Sequence, residues 1–228
     1  MLLGAECPGC RAAGLGLCAE CRRVLAERSV LGGVIAGVPW CAAAEYEGAW
    51  SHCLVAYKER RAWTLARPLG RALAWSVAGL LGGESRIALV PVPSAPAVVR
   101  QRGEDVTQRL AREASAALVR VGCDATVERA LRQTRGVQDQ AGLDVAGRRR
   151  NLAGSMVAVS ARSVPVVVVD DISTTGATLE EGVRAMVAGG RHVIGTAVVA
   201  ATRRRDGRPQ AWMGGSGHRS TPAHGRDD

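Results

Sequence analysis

Residues 166–178 read V-V-V-V-D-D-I-S-T-T-G-A-T, and this stretch constrains the fold more tightly than any other in the chain. Four β-branched residues in a row suit a strand buried on both faces, the environment of a parallel sheet. Two adjacent carboxylates follow, then a short hydroxyl-rich segment with one glycine, and a helical pattern begins at Leu179. A strand that opens through a small polar loop into a helix N-terminus makes a natural anion site. Its unpaired N–H groups and the helix dipole both face the ligand. Thr174, Thr175 and Thr178 add hydroxyl donors beside Ser173 and Ala177, and Gly176 allows close approach of a phosphate. Asp170 and Asp171 would repel a bare phosphate, so they call for another partner. Vicinal sugar hydroxyls with Mg²⁺ nearby fit that requirement. A phosphate site beside a diol site points to a sugar phosphate.

The remaining chain supplies the alternation such a strand needs. Residues 65–81 carry Leu65, Leu69, Leu73, Val77, Leu80 and Leu81 at helical spacing, and Gly82–Gly83 ends that helix. Residues 87–92 read as a buried strand and 107–121 as an amphipathic helix. Residues 125–131, 156–160 and 193–200 read as further strands. Residues 22–37 read as a short helix and connection, 40–58 as mixed, and 133–150 as an exposed loop. Strands alternating with helices predict an α/β fold, a parallel sheet covered on both faces with ligands at the C-terminal strand ends. With 228 residues, 47% of them hydrophobic, the chain can form one main domain and a small appendage. No uninterrupted apolar run reaches the roughly 18 residues needed to span a bilayer. No basic segment precedes an apolar run at the N-terminus, so a cytoplasmic protein without membrane insertion is expected. The net charge of +9 comes almost wholly from arginine and suits phosphate-rich partners, small or polymeric. Residues 203–228 lack apolar periodicity and predict a disordered tail, so His218 and His224 are weak metal candidates.

Cys7, Cys10, Cys18 and Cys21 form C-x2-C-x7-C-x2-C. Two such knuckles can direct four thiolates to one tetrahedral centre, and in a reducing compartment this spacing reads as zinc before disulfides. A redox dithiol pair is the alternative. Four thiolates leave no open coordination position, so the Zn²⁺ would be structural. Cys41, Cys53 and Cys123 read as isolated thiols.

Residues 166–178 resemble the 13-residue phosphoribosyl pyrophosphate (PRPP) signature of type I phosphoribosyltransferases, matching at every position. No G-x-x-x-x-G-K-[ST] loop competes, since Lys58 is the only lysine, and no G-x-G-x-x-G opens a helix. Three further segments make the chain resemble the ComF family (ComFC/GntX-like), in which a four-cysteine zinc module precedes a phosphoribosyltransferase domain. They are V-P-V-P at residues 90–93 with Arg102–Gly103, the spaced set Arg132, Gln138 or Gln140, Leu143, Arg148 and Asn151, and Tyr46, Gly48 with Lys58. The resemblance covers roughly residues 5–202 and departs from the family's R-G-F-N at Glu104 and Asp105.

The resemblance implies a zinc module and connector over 1–37 and a type I phosphoribosyltransferase-like domain with its hood over 38–202. It implies PRPP bound with Mg²⁺ and transfer of a 5-phosphoribosyl group to an unidentified acceptor. Asp170 and Asp171 would take the ribose hydroxyls, residues 174–178 the 5′-phosphate with Ser173 also among the PRPP-binding residues, and Ser94 with nearby N–H groups the pyrophosphate. Arg100 and Arg102 either add charge there or are solvated. Arg132, Arg148, Arg149 and Arg150 belong either to a lid over PRPP or to a solvated basic loop. Lys58 is either a surface lysine or part of the hood. No catalytic base is evident. The alternative function is competence-type handling of single-stranded DNA, with the PRPP site regulatory or vestigial.

Overall fold

The computed structural model describes residues 6–134, 145–160 and 163–203. Its centre is a six-stranded sheet in the order β1 (Leu31–Ile35), β2 (Val38–Glu45), β8 (Val193–Ala201), β7 (Val166–Ser173), β3 (Arg86–Pro91) and β4 (Asp124–Val127). All neighbours run parallel except the antiparallel β1–β2 hairpin at one edge. The valine run behaves as its composition requires. Val167 and Val169 join one core layer, and Val166 and Val168 join the other, all four fully buried.

The first layer packs α2 (Gly48–Glu59), α3 (Ala66–Ala78) and α5 (Val106–Val119) on one face through Leu54, Leu69, Leu73, Leu110 and Leu118. Ser76 on α3 donates its hydroxyl to the carbonyl of Val198 at 2.8 Å, which satisfies a buried polar group and fixes the helix on the sheet. The second layer packs α7 (Ala177–Ala188) on the other face through Leu179, Val183 and Met186. A separate two-stranded ladder, β5 (Leu131–Gln133) with β6 (Met156–Ala158), covers that side. Glu181 holds it to α7 by accepting from the N–H of Met156 at 2.9 Å and pairing with Arg184 at 2.7 Å.

Several segments differ from the sequence expectations. Residues 31–35, expected as connection, form a strand. Ala36 and Gly37 both have positive φ (51° and 80°), the geometry of a two-residue hairpin turn. The 125–131 strand divides, β4 joining the main sheet and β5 leaving it. A short helix α4 (Pro96–Arg102), with Pro96 in its first turn, follows β3 where only a turn was expected. Where the end of the expected loop of 133–150 was placed, residues 145–152 form α6 (Val145–Leu152). The N-terminal module contributes α1 (Ala19–Val24). Among the described residues no helix is long and apolar enough to cross a membrane.

Candidate functional site

Strand β3 leads through α5 to β4 on one side, while β7 leads through α7 to β8 on the other, so the strand order reverses between β3 and β7. Ligand crevices of doubly wound sheets open at such a point. At the C-terminal ends of these two strands lies a cavity of about 360 Å³, within the size range of small-molecule sites. Asp170, Asp171, Thr174 and Thr178 line it from the β7 side, Pro93 and Ser94 from the β3 side, and Tyr46, Lys58 and Arg102 from above.

The β7–α7 turn has the geometry that suits an anion. Gly176 occupies the N-cap of α7 in the left-handed region (φ 79°, ψ −7°), where a β-branched residue would be strained. It brings no capping side chain, so the first turn of α7 keeps N–H groups for a ligand or solvent. The N–H of Ala177 donates to Thr175 Oγ1 at 3.3 Å, and the hydroxyl of Thr202 donates to the carbonyl of Thr174 at 3.1 Å, holding the loop to β8. Ser173 and Ala177 are buried, so they shape the turn from beneath.

The two acids occupy unlike environments. Asp171 is buried and paired with Lys58, Nζ to Oδ2 at 2.8 Å. Burial alone would lower the Lys58 ammonium, but the Asp171 carboxylate outweighs it and the net shift is upward. Asp170 accepts from the N–H of Asp171 at 2.8 Å, yet burial and the adjoining Asp171 charge hold its carboxyl well above the usual carboxylate range. One lysine thus faces two carboxylates, and Asp170 gains most from any ligand that brings hydroxyl donors or a cation.

Asp105, where the chain departs from R-G-F-N, is the N-cap of α5 and accepts from the N–H groups of Thr107 and Gln108 at 3.1 and 3.2 Å. It also accepts from Ser94, from Oγ at 3.2 Å and from the N–H at 3.4 Å. Ser94 therefore lies at the cavity wall with its donors turned to a carboxylate. Arg102 reaches the cavity and pairs with Glu59 at 2.7 Å, whereas Arg100 is exposed on α4. Arg132 is exposed on β5 and Arg150 is exposed on α6; neither lines the cavity. Gln138, Gln140 and Leu143, the side chains of Arg148 and Arg149, and residues 204–228 with His218 and His224 lie outside the described residues.

The thiols of Cys7, Cys10, Cys18 and Cys21 lie within 4.8 Å of one another. Cys10 and Cys18 are 3.6 Å apart, close to the ~3.8 Å edge of a tetrahedron with Zn–S bonds of about 2.3 Å. The N–H groups of Cys18 and Cys21 donate to the sulfurs of Cys7 and Cys18, both at 3.4 Å, as thiolate ligands require. Burial raises the Cys7 thiol, but backbone N–H donors outweigh it and bring it down to about 6. A Cβ at Gly9 would stand 2.7 Å from the Cys21 sulfur, so the knuckle needs glycine there. The donor set therefore fits Zn²⁺ in a closed structural site. The module docks on α2, where His52 Nδ1–H donates to the carbonyl of Gly9 at 2.7 Å and buried Cys53 lies against the same glycine. Cys41, Cys53 and Cys123 are buried free thiols, as expected.

The phosphoribosyl transferase domain family matches residues 71–216. No curated protein is similar enough to match. Among solved structures, orotate phosphoribosyltransferase from Aeropyrum pernix is similar at 19% identity. The similarity covers 79% of this chain and 80% of that one, with a TM-score of 0.32. The family match spans more than half of the sequence, and the chain belongs to the phosphoribosyl transferase domain family.

Proposed function

We propose that the cavity between β3 and β7 binds PRPP with Mg²⁺ and that the protein is a ComF-type phosphoribosyltransferase acting on an acceptor of undetermined identity. One observation carries this reading. A capless helix N-terminus with threonine hydroxyls and a carboxylate pair line a single small cavity at the switch point of the sheet. The α7 turn takes the 5′-phosphate on its N–H groups and on Thr174 and Thr178. Asp170 and Asp171 take the ribose hydroxyls. Lys58 holds Asp171 in orientation through their ion pair while its own head stays at the cavity wall.

Mg²⁺ arriving with PRPP supplies charge neutralisation on the pyrophosphate, and an acidic oxygen donor set such as Asp170 with Asp171 suits a hard cation. In the transfer the C1–O bond to pyrophosphate breaks, the sugar passes through an oxocarbenium-like state, and the acceptor forms the new bond at C1. Positioning and electrostatics serve such a step more than covalent help does. Arg102, held by Glu59 at the cavity rim, is the guanidinium best placed for an anionic leaving group. The zinc module has a structural role, and the protein works in the cytoplasm.

Titration calorimetry tests this directly. The parent chain should bind PRPP with Mg²⁺, and Asp170→Asn with Asp171→Asn should lose that binding while inorganic phosphate still binds the loop. Equal affinity of ribose 5-phosphate for parent and double variant would remove the carboxylates from the diol site. Single-stranded DNA handling draws on the net charge of +9. Trp75 is the exposed tryptophan among the described residues, and one ring is less than the aromatic series that strand stacking uses.

A further inference from the structure

A second cavity, of about 580 Å³, opens between the N-terminal module and the start of α3 and shares no lining residue with the first. Arg22, Arg28, Arg67 and Arg71 line it, and no carboxylate does. The nearby acids are already engaged, because Glu20 on α1 and Glu27 just after it both pair with Arg23. Arg22, Arg67 and Arg71 are exposed and have no ion pair among the described residues.

Arg28 is held in place. Its guanidinium lies 5.7 Å over the Trp50 ring and donates to the carbonyls of Leu25 and Glu27, while its Nε is buried without a partner. Burial pushes this guanidinium below its ordinary value, as befits a cation with no counter-charge.

Helix α3 makes the arrangement costlier still. Arg67 sits in its first turn, where the dipole disfavours a cation, and no acid stands there to compensate. Arg67 and Arg71 are four residues apart on one face and repel each other. An anion seated between them reverses both costs. Apart from Thr64, the rest of the cavity is apolar: Leu15, 77% exposed, stands over it with Leu17, Leu25 and Pro68.

We propose that this cavity is a binding site for a nucleoside oligophosphate, with the phosphates on Arg22, Arg67 and Arg71 and the base against the leucines. Four cations without an acid select a multiply charged anion, because guanidinium–phosphate pairs are bidentate. The apolar wall gives a nucleotide an advantage over inorganic oligophosphate. A volume within the small-molecule range favours a compact ligand over a polymer.

The experiment titrates ATP, inorganic tripolyphosphate and a single-stranded oligothymidylate into the zinc-loaded Gly176→Val protein, whose first phosphate site is blocked. ATP should bind, more tightly than tripolyphosphate, and weaken as salt rises. Arg67→Glu with Arg71→Glu should reduce ATP affinity at least about tenfold, two charge-assisted contacts being reversed. Arg22→Glu, outside α3, should weaken it in the same direction. In the parent background, Arg67→Glu with Arg71→Glu should leave PRPP affinity unchanged. ATP affinity indifferent to these reversals overturns the site. Tripolyphosphate binding as tightly as ATP overturns the nucleoside. Oligothymidylate binding more tightly than ATP through the same arginines assigns the surface to nucleic acid instead.

Discussion

Replacing Lys58 with methionine removes the cation that, among the described residues, pairs with the buried end of β7. Lys58 Nζ lies 2.8 Å from Asp171 Oδ2, with side-chain exposures of 26% and 6%. At an effective dielectric of 20, unit charges at that distance attract by about 6 kcal/mol, most of which offsets the desolvation of the two ions. Breaking a buried pair from one side costs about 3–5 kcal/mol. The quarter-exposed ammonium places Lys58→Met at the lower end, about 3 kcal/mol at pH 8. For a chain of this length that lowers Tm by about 6–12 °C. Against burial, Asp171 holds the Lys58 ammonium above its ordinary value, so the pair's contribution is complete below the unfolded lysine value of about 10.4 and fades as pH rises through the raised one. Adding Asp171→Asn to Lys58→Met should restore most of the stability, since a neutral pair replaces an orphaned charge. Urea denaturation of the parent, both single variants and the double at pH 8 gives the complete cycle. Single effects that add within about 0.5 kcal/mol refute the coupling.

Cys10→Ser with Cys18→Ser should abolish zinc content by metal analysis while the main sheet stays folded, and Gly9→Ala should weaken zinc retention in a competition with chelator; unchanged zinc in the serine variant removes the site. Gly176→Val should eliminate binding of both PRPP and inorganic phosphate in calorimetry, because it strains a left-handed position and covers the loop. Burial and Asp171 raise Asp170, so protonation there opposes the binding of PRPP with Mg²⁺. Affinity should rise with pH through the raised value, with proton release visible as buffer-dependent heat. The same sign makes apo Asp170→Asn more stable than the parent at pH 8, an advantage that vanishes as pH falls below the unfolded carboxylate value.

The valine run, the acid pair and the T-T-G-A-T loop were legible because each rests on local chemistry. β-branched residues want a double-sided sheet, and a left-handed helix cap wants glycine. The elements that were not legible depend on partners distant in sequence. Strand β1 has two glycines and only intermediate burial over most of its length, and its turn uses Ala36 at φ 51° where asparagine or aspartate would have announced a hairpin. Strand β5 has three residues, and what makes it a strand is β6, more than twenty positions later. Helix α4 buries none of its residues, so it carries no apolar stripe for a periodicity to detect.

The site divides in the same way, and Lys58 and Asp105 show why. A single lysine in an arginine-rich chain has no spacing to place it, and its pairing with Asp171 exists only because α2 crosses above the end of β7. Asp105 looked like a lost asparagine, but the structure gives it a duty that an aspartate performs as well: it caps α5 and gathers the donors of Ser94. That arrangement places a third carboxylate near the cavity and occupies the Ser94 N–H that a pyrophosphate would otherwise meet. Because Asp105 Oδ1 also accepts from two α5 N–H groups, it stays in place when Ser94 turns away. Asp105→Asn should therefore keep most of the helix cap while weakening the carboxylate's hold on Ser94. PRPP affinity that rises in this variant, with Tm lowered by no more than a few degrees, identifies Ser94 as a pyrophosphate donor restrained by Asp105. Unchanged affinity leaves Ser94 as a wall of the cavity and returns the pyrophosphate to Arg102.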